Sequence, residues 1–107
     1  MATIRIYQVR PGYFREYGFR SCEEVCGPEQ KRGLPRAVYE QVWEGRAPDD
    51  VSLDELFLAF NAEKPAPENY RGRSMSLSDL IEFVESGELW FCDTIGWKQV
   101  RWEEGDE

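Results

Sequence analysis

SLSDLIEFVESG (Ser76–Gly87) followed by ELWFCDTIGWKQVRWE (Glu88–Glu103) decides the fold. In the first part Leu77, Leu80, Ile81 and Val84 fall at i, i+3, i+4 and i+7, the spacing of one apolar helix face. Ser76 precedes that face as a cap, Asp79 lies in the first turn where the helix dipole favours an acid, and Gly87 stands where a helix stops. The pattern predicts a helix near 77–86. In the second part the runs Glu88–Thr94 and Trp97–Glu103 are rich in strand-forming residues and are joined by Ile95-Gly96. Glycine takes positive φ without steric cost, so this is a hairpin signal. A helix next to an antiparallel hairpin points to an α+β fold.

The rest of the chain extends the same picture. Ser52-x-x-Glu55 opens a second helix near 53–61, with Leu53, Leu56, Phe57 and Phe60 on one face and Asn61 at its end. Ser21-x-x-Glu24 has the same capping spacing and predicts a short helix from Cys22. Thr3–Arg10 alternates Ile4, Ile6, Tyr7 and Val9 with polar residues and reads as a strand, stopped by Pro11-Gly12. Its apolar side chains on both faces predict a central or partly covered position. Ala37–Glu44 fits helical spacing at Val38, Tyr39, Val42 and Trp43, but its short length and residue types favour a strand. The expected fold is α+β: a small, mostly antiparallel sheet of about four strands with two or three helices packed on one face. Residues 1–107 form one domain, with 103–107 as an acidic, frayed tail.

Composition narrows the function. No apolar run approaches the ~20 residues of a membrane span, and the N-terminus has no basic-then-apolar export pattern, so a cytoplasmic protein without membrane contact is expected. Cys22, Cys26 and Cys92 are too few for a closed zinc site in a chain with no histidine, and ordinary reduced thiols are expected. The net charge of -8 is uneven. Residues 1–36 hold seven basic against four acidic side chains, +3, and residues 37–107 six against seventeen, -11. Affinity for duplex DNA comes from neutralising phosphates, so direct DNA binding is not expected. An acidic body suits a basic protein partner.

Catalytic parts are missing. Without histidine the commonest general base is gone, and no glycine-rich phosphate loop is present. No enzymatic activity, cofactor or metal is expected. The enzymatic alternative is a carboxylate-dependent hydrolase or nuclease using Asp93, whose side chain is otherwise expected to bond backbone N–H groups in the hairpin. Three features serve binding. Tyr70-Arg71-Gly72-Arg73 precedes a helix start, where an anion could sit, although Ser76 capping with solvated arginines accounts for it too. The four tryptophans divide into core and interface anchors, with Trp97 and Trp102 as candidate anchors. Asp54, Glu55 and Glu63 on or just after one helix, and Asp79, Glu82 and Glu85 on the other, form outward acids; solvated helix faces usually look like this, but side by side they could imitate a row of phosphates.

Four blocks resemble the YodL-like domains: Ile4-Arg5-Ile6-Tyr7-Gln8-Val9; Ser52-Leu53-Asp54-Glu55-Leu56-Phe57 with Phe60-Asn61; Gly72-Arg73-Ser74-Met75-Ser76-Leu77-Ser78-Asp79; and Trp90-Phe91-Cys92-Asp93-Thr94-Ile95-Gly96-Trp97. The resemblance implies a mobile-element context (conjugative elements and phages) and no established enzymatic role. Small acidic proteins of such elements include anti-CRISPR and anti-restriction inhibitors. The expected function is therefore inhibition of a host nucleic-acid-targeting nuclease complex through an acidic protein-binding surface. Its contacts would be Asp54, Glu55, Asp79, Glu82 and Glu85, with Arg71, Arg73, Trp97 and Trp102 as further partner-binding candidates. The non-enzymatic alternative is an interaction module within the element's own transfer or replication machinery.

Overall fold

A computed structural model describes residues 1–18, 20–26, 33–60 and 75–103. Five strands form one sheet: β1 (Ala2–Val9), β2 (Tyr39–Ala47), β3 (Leu80–Phe83), β4 (Glu88–Cys92) and β5 (Trp97–Val100). Their order is β2-β1-β3-β4-β5, and every neighbouring pair is antiparallel. Among the described residues three α-helices accompany the sheet: α1 (Phe14–Tyr17), α2 (Cys22–Cys26) and α3 (Leu53–Phe60).

β1 lies inside the sheet, as its two-faced apolar pattern requires. Ile4 and Ile6 point to one side, where Val42, Ala47, Met75, Ile81 and the buried side of α3, Leu56 and Phe60, close a core. Tyr7 and Val9 point to the other, with Leu80, Leu89, Phe91, Val38, Tyr39, Leu34 and the α2 residues Cys22 and Val25. Phe14 and Tyr17 of α1 pack on that second core. The helices thus cover both faces, which corrects the expectation of a one-sided arrangement. The reason is that β1, β3 and β4 are apolar on both sides and need two covers.

The segment expected as a helix over 77–86 is instead β3 with a turn on each side. Ser76 and Asp79 make one half of a capping box: the Ser76 N–H donates to Asp79 Oδ2 at 2.8 Å, while the Asp79 N–H donates to the Ser76 carbonyl at 3.2 Å instead of to the Ser76 hydroxyl. Ser78 then turns left-handed at φ 76°, which stops helical propagation. From Leu80 the chain alternates, with Leu80 and Glu82 on one face and Ile81 and Phe83 on the other, and it fills ladders to β1 and β4. Over four residues, Leu80–Phe83, the apolar positions fit either period, and the pairing on two sides decides for the strand.

β2 contains a bulge. Ile6 faces Trp43 and Tyr7 faces Gln41, so Val42 is the extra residue. Adjacent Val42 and Trp43 both reach the α3 side as a result. That local break in alternation is what gave the segment its helix-like spacing. Trp43 folds back over Gly45, where an added Cβ would fall 2.2 Å from the indole. The ring is tilted against Phe60 with centroids 4.8 Å apart.

The hairpin forms as expected: the Asp93 N–H donates to the Gly96 carbonyl at 3.0 Å, and Gly96 has φ 69°. After β5 Trp102 forms an isolated parallel bridge with Leu34. Leu34 N–H donates to Arg101 O and Glu103 N–H to Leu34 O, each at 2.8 Å. This pairing seats Trp102 against Tyr7 and Tyr39 on the α2 side.

Candidate functional site

On the α3 side the hairpin and the helix make one patch. The capping box fixes α3: Glu55 N–H donates to Ser52 Oγ at 3.1 Å, and Ser52 N–H donates to Glu55 Oε1 at 3.0 Å. Asp54, in the first turn, accepts the Trp97 indole N–H at 3.1 Å. The Phe57 and Trp97 rings meet edge to face, centroids 6.3 Å apart. Leu58, one turn beyond Asp54, is 70% exposed, and Ile95 at the hairpin tip is 86% exposed. Both are large, water-exposed aliphatic side chains on the two elements that the Trp97–Asp54 hydrogen bond joins. Such an aromatic anchor with an acidic rim suits a protein contact.

The other expected acids are not part of it. Asp79 is wholly buried: its Oδ2 accepts the Gln8 side-chain amide at 3.0 Å and the Ser76 N–H at 2.8 Å, which ties β1 to the turn before β3. Glu82 lies on the opposite face, where it accepts the Tyr7 hydroxyl at 2.9 Å and stands 3.7 Å from Arg5. Arg5 also donates to Glu44 at 2.6 Å, so Glu44, Arg5 and Glu82 alternate in charge across β2, β1 and β3. The hydrogen bond that Arg5 donates to Glu44 chiefly holds the Arg5 guanidinium above its ordinary range, while burial first and Glu82 second push the Tyr7 phenol up. Glu85, in the β3–β4 turn, accepts Thr3 Oγ1–H and the Thr3 N–H at 2.8 Å, and the hydroxyl contact first among these lowers its carboxyl. Asp54 and Glu55 share a surface; Asp79, Glu82 and Glu85 do not join them. Glu63, Arg71 and Arg73 lie outside the described residues. All four tryptophans are half-buried, so the expected division into core and surface does not occur.

A second feature escaped the sequence reading. An open cleft of about 410 Å³ is lined by Tyr7, Arg10, Arg36, Ala37, Tyr39 and Gln41. The Arg36 guanidinium lies 4.8 Å from the Trp102 ring centre and 6.0 Å from that of Tyr7. Arg10 Nε donates to the Ala37 carbonyl at 3.2 Å. Arg10 follows β1 and Arg36 precedes β2, so the signal was there: antiparallel pairing of those strands brings the two arginines together.

The thiol and carboxylate that chemistry could recruit are engaged structurally. Asp93 Oδ1 accepts Thr94 N–H at 2.8 Å and Cys22 N–H at 3.1 Å, fastening the hairpin to the first turn of α2. Burial, then the charges of Asp79, Asp93 and Asp54, push the Cys92 thiol up to about 11, away from the reactive thiolate. Among the described residues no group of three His, Cys, Asp or Glu side chains is placed to hold a metal ion. No helix among them is long and apolar enough to cross a membrane.

A family model of the YodL-like domain matches residues 3–102. The chain belongs to the YodL-like domain family. No curated protein and no solved structure matches it. In this YodL-like domain the block Ile4–Val9 is the inner strand β1 and Ser52–Phe57 is the capped start of α3. The block Trp90–Trp97 is the β4–β5 hairpin, whose aspartate, Asp93, holds α2 and whose final Trp97 reaches Asp54.

Proposed function

We propose that this YodL-like domain is a non-catalytic binding module that recognises a basic protein surface through the α3–hairpin patch. The observation that carries this reading is the pair Asp54–Trp97, flanked by exposed Leu58 and Ile95. Charge supports the choice of partner: residues 37–107 carry six basic and seventeen acidic side chains, a field that attracts a positive groove. The nucleic-acid channel of a nuclease is such a groove. In its specific form the proposal is that the protein, in the mobile-element context its family resemblance implies, occupies that channel and inhibits a defence nuclease. The contact set is narrower than a row of acids along two helices: Asp54, Glu55, Leu58, Ile95 and Trp97 carry it. The engagement of Asp93 in structural contacts and the burial of the Cys92 thiol support the non-catalytic part.

The test is substrate cleavage by purified guide-dependent and restriction nucleases, with and without the protein. Inhibition of at least one, lost in the Leu58→Ser/Ile95→Ser double variant at unchanged thermal stability, supports the reading. Lack of inhibition throughout at micromolar protein refutes the inhibitor form. Inhibition that survives the double variant refutes the patch.

A further inference from the structure

We infer that the α3–hairpin patch takes an arginine side chain of the partner on Asp54, beside Trp97, and selects it over lysine. This rests on the patch proposed above as the contact surface. Asp54 is held from two elements at once. It stands in the first turn of α3, which the Ser52–Glu55 capping box fixes, and it accepts the Trp97 indole N–H from β5 at 3.1 Å. The indole is itself packed, edge to face with Phe57 at 6.3 Å between centroids. Of the two adjacent acids, Glu55 is committed to the capping box through Oε1. Asp54 is exposed, and an ionised carboxylate accepts at roughly four lone-pair sites, of which the indole N–H takes one.

A carboxylate whose orientation is fixed suits a planar fork. Arginine presents parallel N–H donors that match both oxygens, whereas the lysine ammonium is a compact, strongly hydrated point charge. Trp97 widens the difference. Two hydrogen bonds of about 3 Å that share one carboxylate bring the guanidinium to about 6 Å from the indole, the range of cation–π attraction. Leu58 follows Asp54 by one turn on the same helix surface, and Ile95 lies two residues before Trp97; both are exposed. The methylene stem of a long cationic side chain rests on such aliphatic surface while its head reaches the charge. The excess of acids over residues 37–107 draws any cation, and the Asp54–Trp97 geometry distinguishes one cation from another.

The experiment is an NMR titration of the full chain that follows the Trp97 indole N–H and the methyl groups of Leu58 and Ile95. Its probes are three blocked pentapeptides with arginine, lysine or citrulline at the centre and a leucine and a glycine on each side. A saturable shift with the arginine peptide is expected, with affinity about fivefold or more lower for lysine. Citrulline, which keeps the shape of arginine without its charge, should give no saturable shift. Asp54→Asn keeps an acceptor for the indole and should weaken arginine binding about tenfold or more, the scale of a lost charge-assisted hydrogen bond. Glu40→Gln makes the same change of charge on β2, at the far edge of the sheet from β5, and should leave binding unchanged. If Asp54→Asn disturbs the fold, the peptide series on the unaltered chain decides alone. No saturable shift with the arginine peptide, equal affinity for the lysine peptide, full affinity in Asp54→Asn, or an equal loss in Glu40→Gln overturns the inference. In each of those cases a nuclease inhibited through Leu58 and Ile95 leaves the proposed function standing. Arginine binding at Asp54 without inhibition of any nuclease leaves this inference standing alone.

Discussion

Replacing Asp79 by alanine should destabilise the protein strongly and leave the binding surface unchanged. Asp79 Oδ2 accepts two hydrogen bonds, from the buried Gln8 amide and from the Ser76 N–H. Truncation removes the acceptor of both. Losing the acceptor of a buried donor costs about 1–3 kcal/mol, and Gln8 is buried. Ser76 is half-buried, and water can take over part of its loss. The total is about 2–4 kcal/mol, which at about 4–8 °C per kcal/mol lowers Tm by more than about 8 °C in a domain of this size. Asp79→Asn keeps a carbonyl oxygen able to accept from both donors and should lose less than half as much. Urea unfolding by tryptophan fluorescence measures both, and a double-mutant cycle with Gln8→Ala should return a coupling of about 1 kcal/mol or more. Loss of under about 0.5 kcal/mol for Asp79→Ala, combined with weakened partner binding, would refute the structural role and return Asp79 to the exposed contact set that the sequence suggests.

Gly45→Val should cost about 1–3 kcal/mol and alter the near-UV circular dichroism, because the new side chain displaces the Trp43 indole from over the strand. Ser52→Ala should cost about 1 kcal/mol, seen as a lowered Tm, since the α3 capping box loses its acceptor. Cys92 gives a pH dependence. Its thiol is raised in the folded state to about 11 from 9.0, so between those pH values the unfolded chain loses this proton first. Stability therefore falls as pH rises from about 9 to about 11, and Cys92→Ser, followed by denaturation across that range, should flatten the fall.

Much of the fold was legible because local signals and tertiary context agreed. Gly96 between two strand-forming runs set the hairpin, the serine–glutamate boxes at Ser21 and Ser52 set α2 and α3, and the alternation in Ile4–Val9 set β1. The failures share one cause, which is that the deciding contacts are distant in sequence. Ser76 and Asp79 have capping chemistry whether a helix or a strand follows; only the ladders from Leu80–Phe83 to β1 and β4 select the strand. Asp79 looked like an outward acid because its partner, Gln8, is 71 residues away. The bulge at Val42 blurred the period of β2. Asp54 and Trp97 were each singled out from sequence, but their hydrogen bond across 43 residues is a product of the fold. Arg10 and Arg36 belonged to a noticed basic segment, and only the β1–β2 pairing turns them into a cleft.

Docking of a basic partner on the α3–hairpin patch, as proposed above, is tested most directly by an amide and methyl chemical-shift map of the protein titrated with a purified nuclease. The expected result is a contiguous footprint over Asp54, Leu58, Ile95 and Trp97, with affinity weakening as salt rises. A footprint centred instead on Glu44, Arg5 and Glu82, on the opposite face of the sheet, or an affinity indifferent to salt, would contradict it.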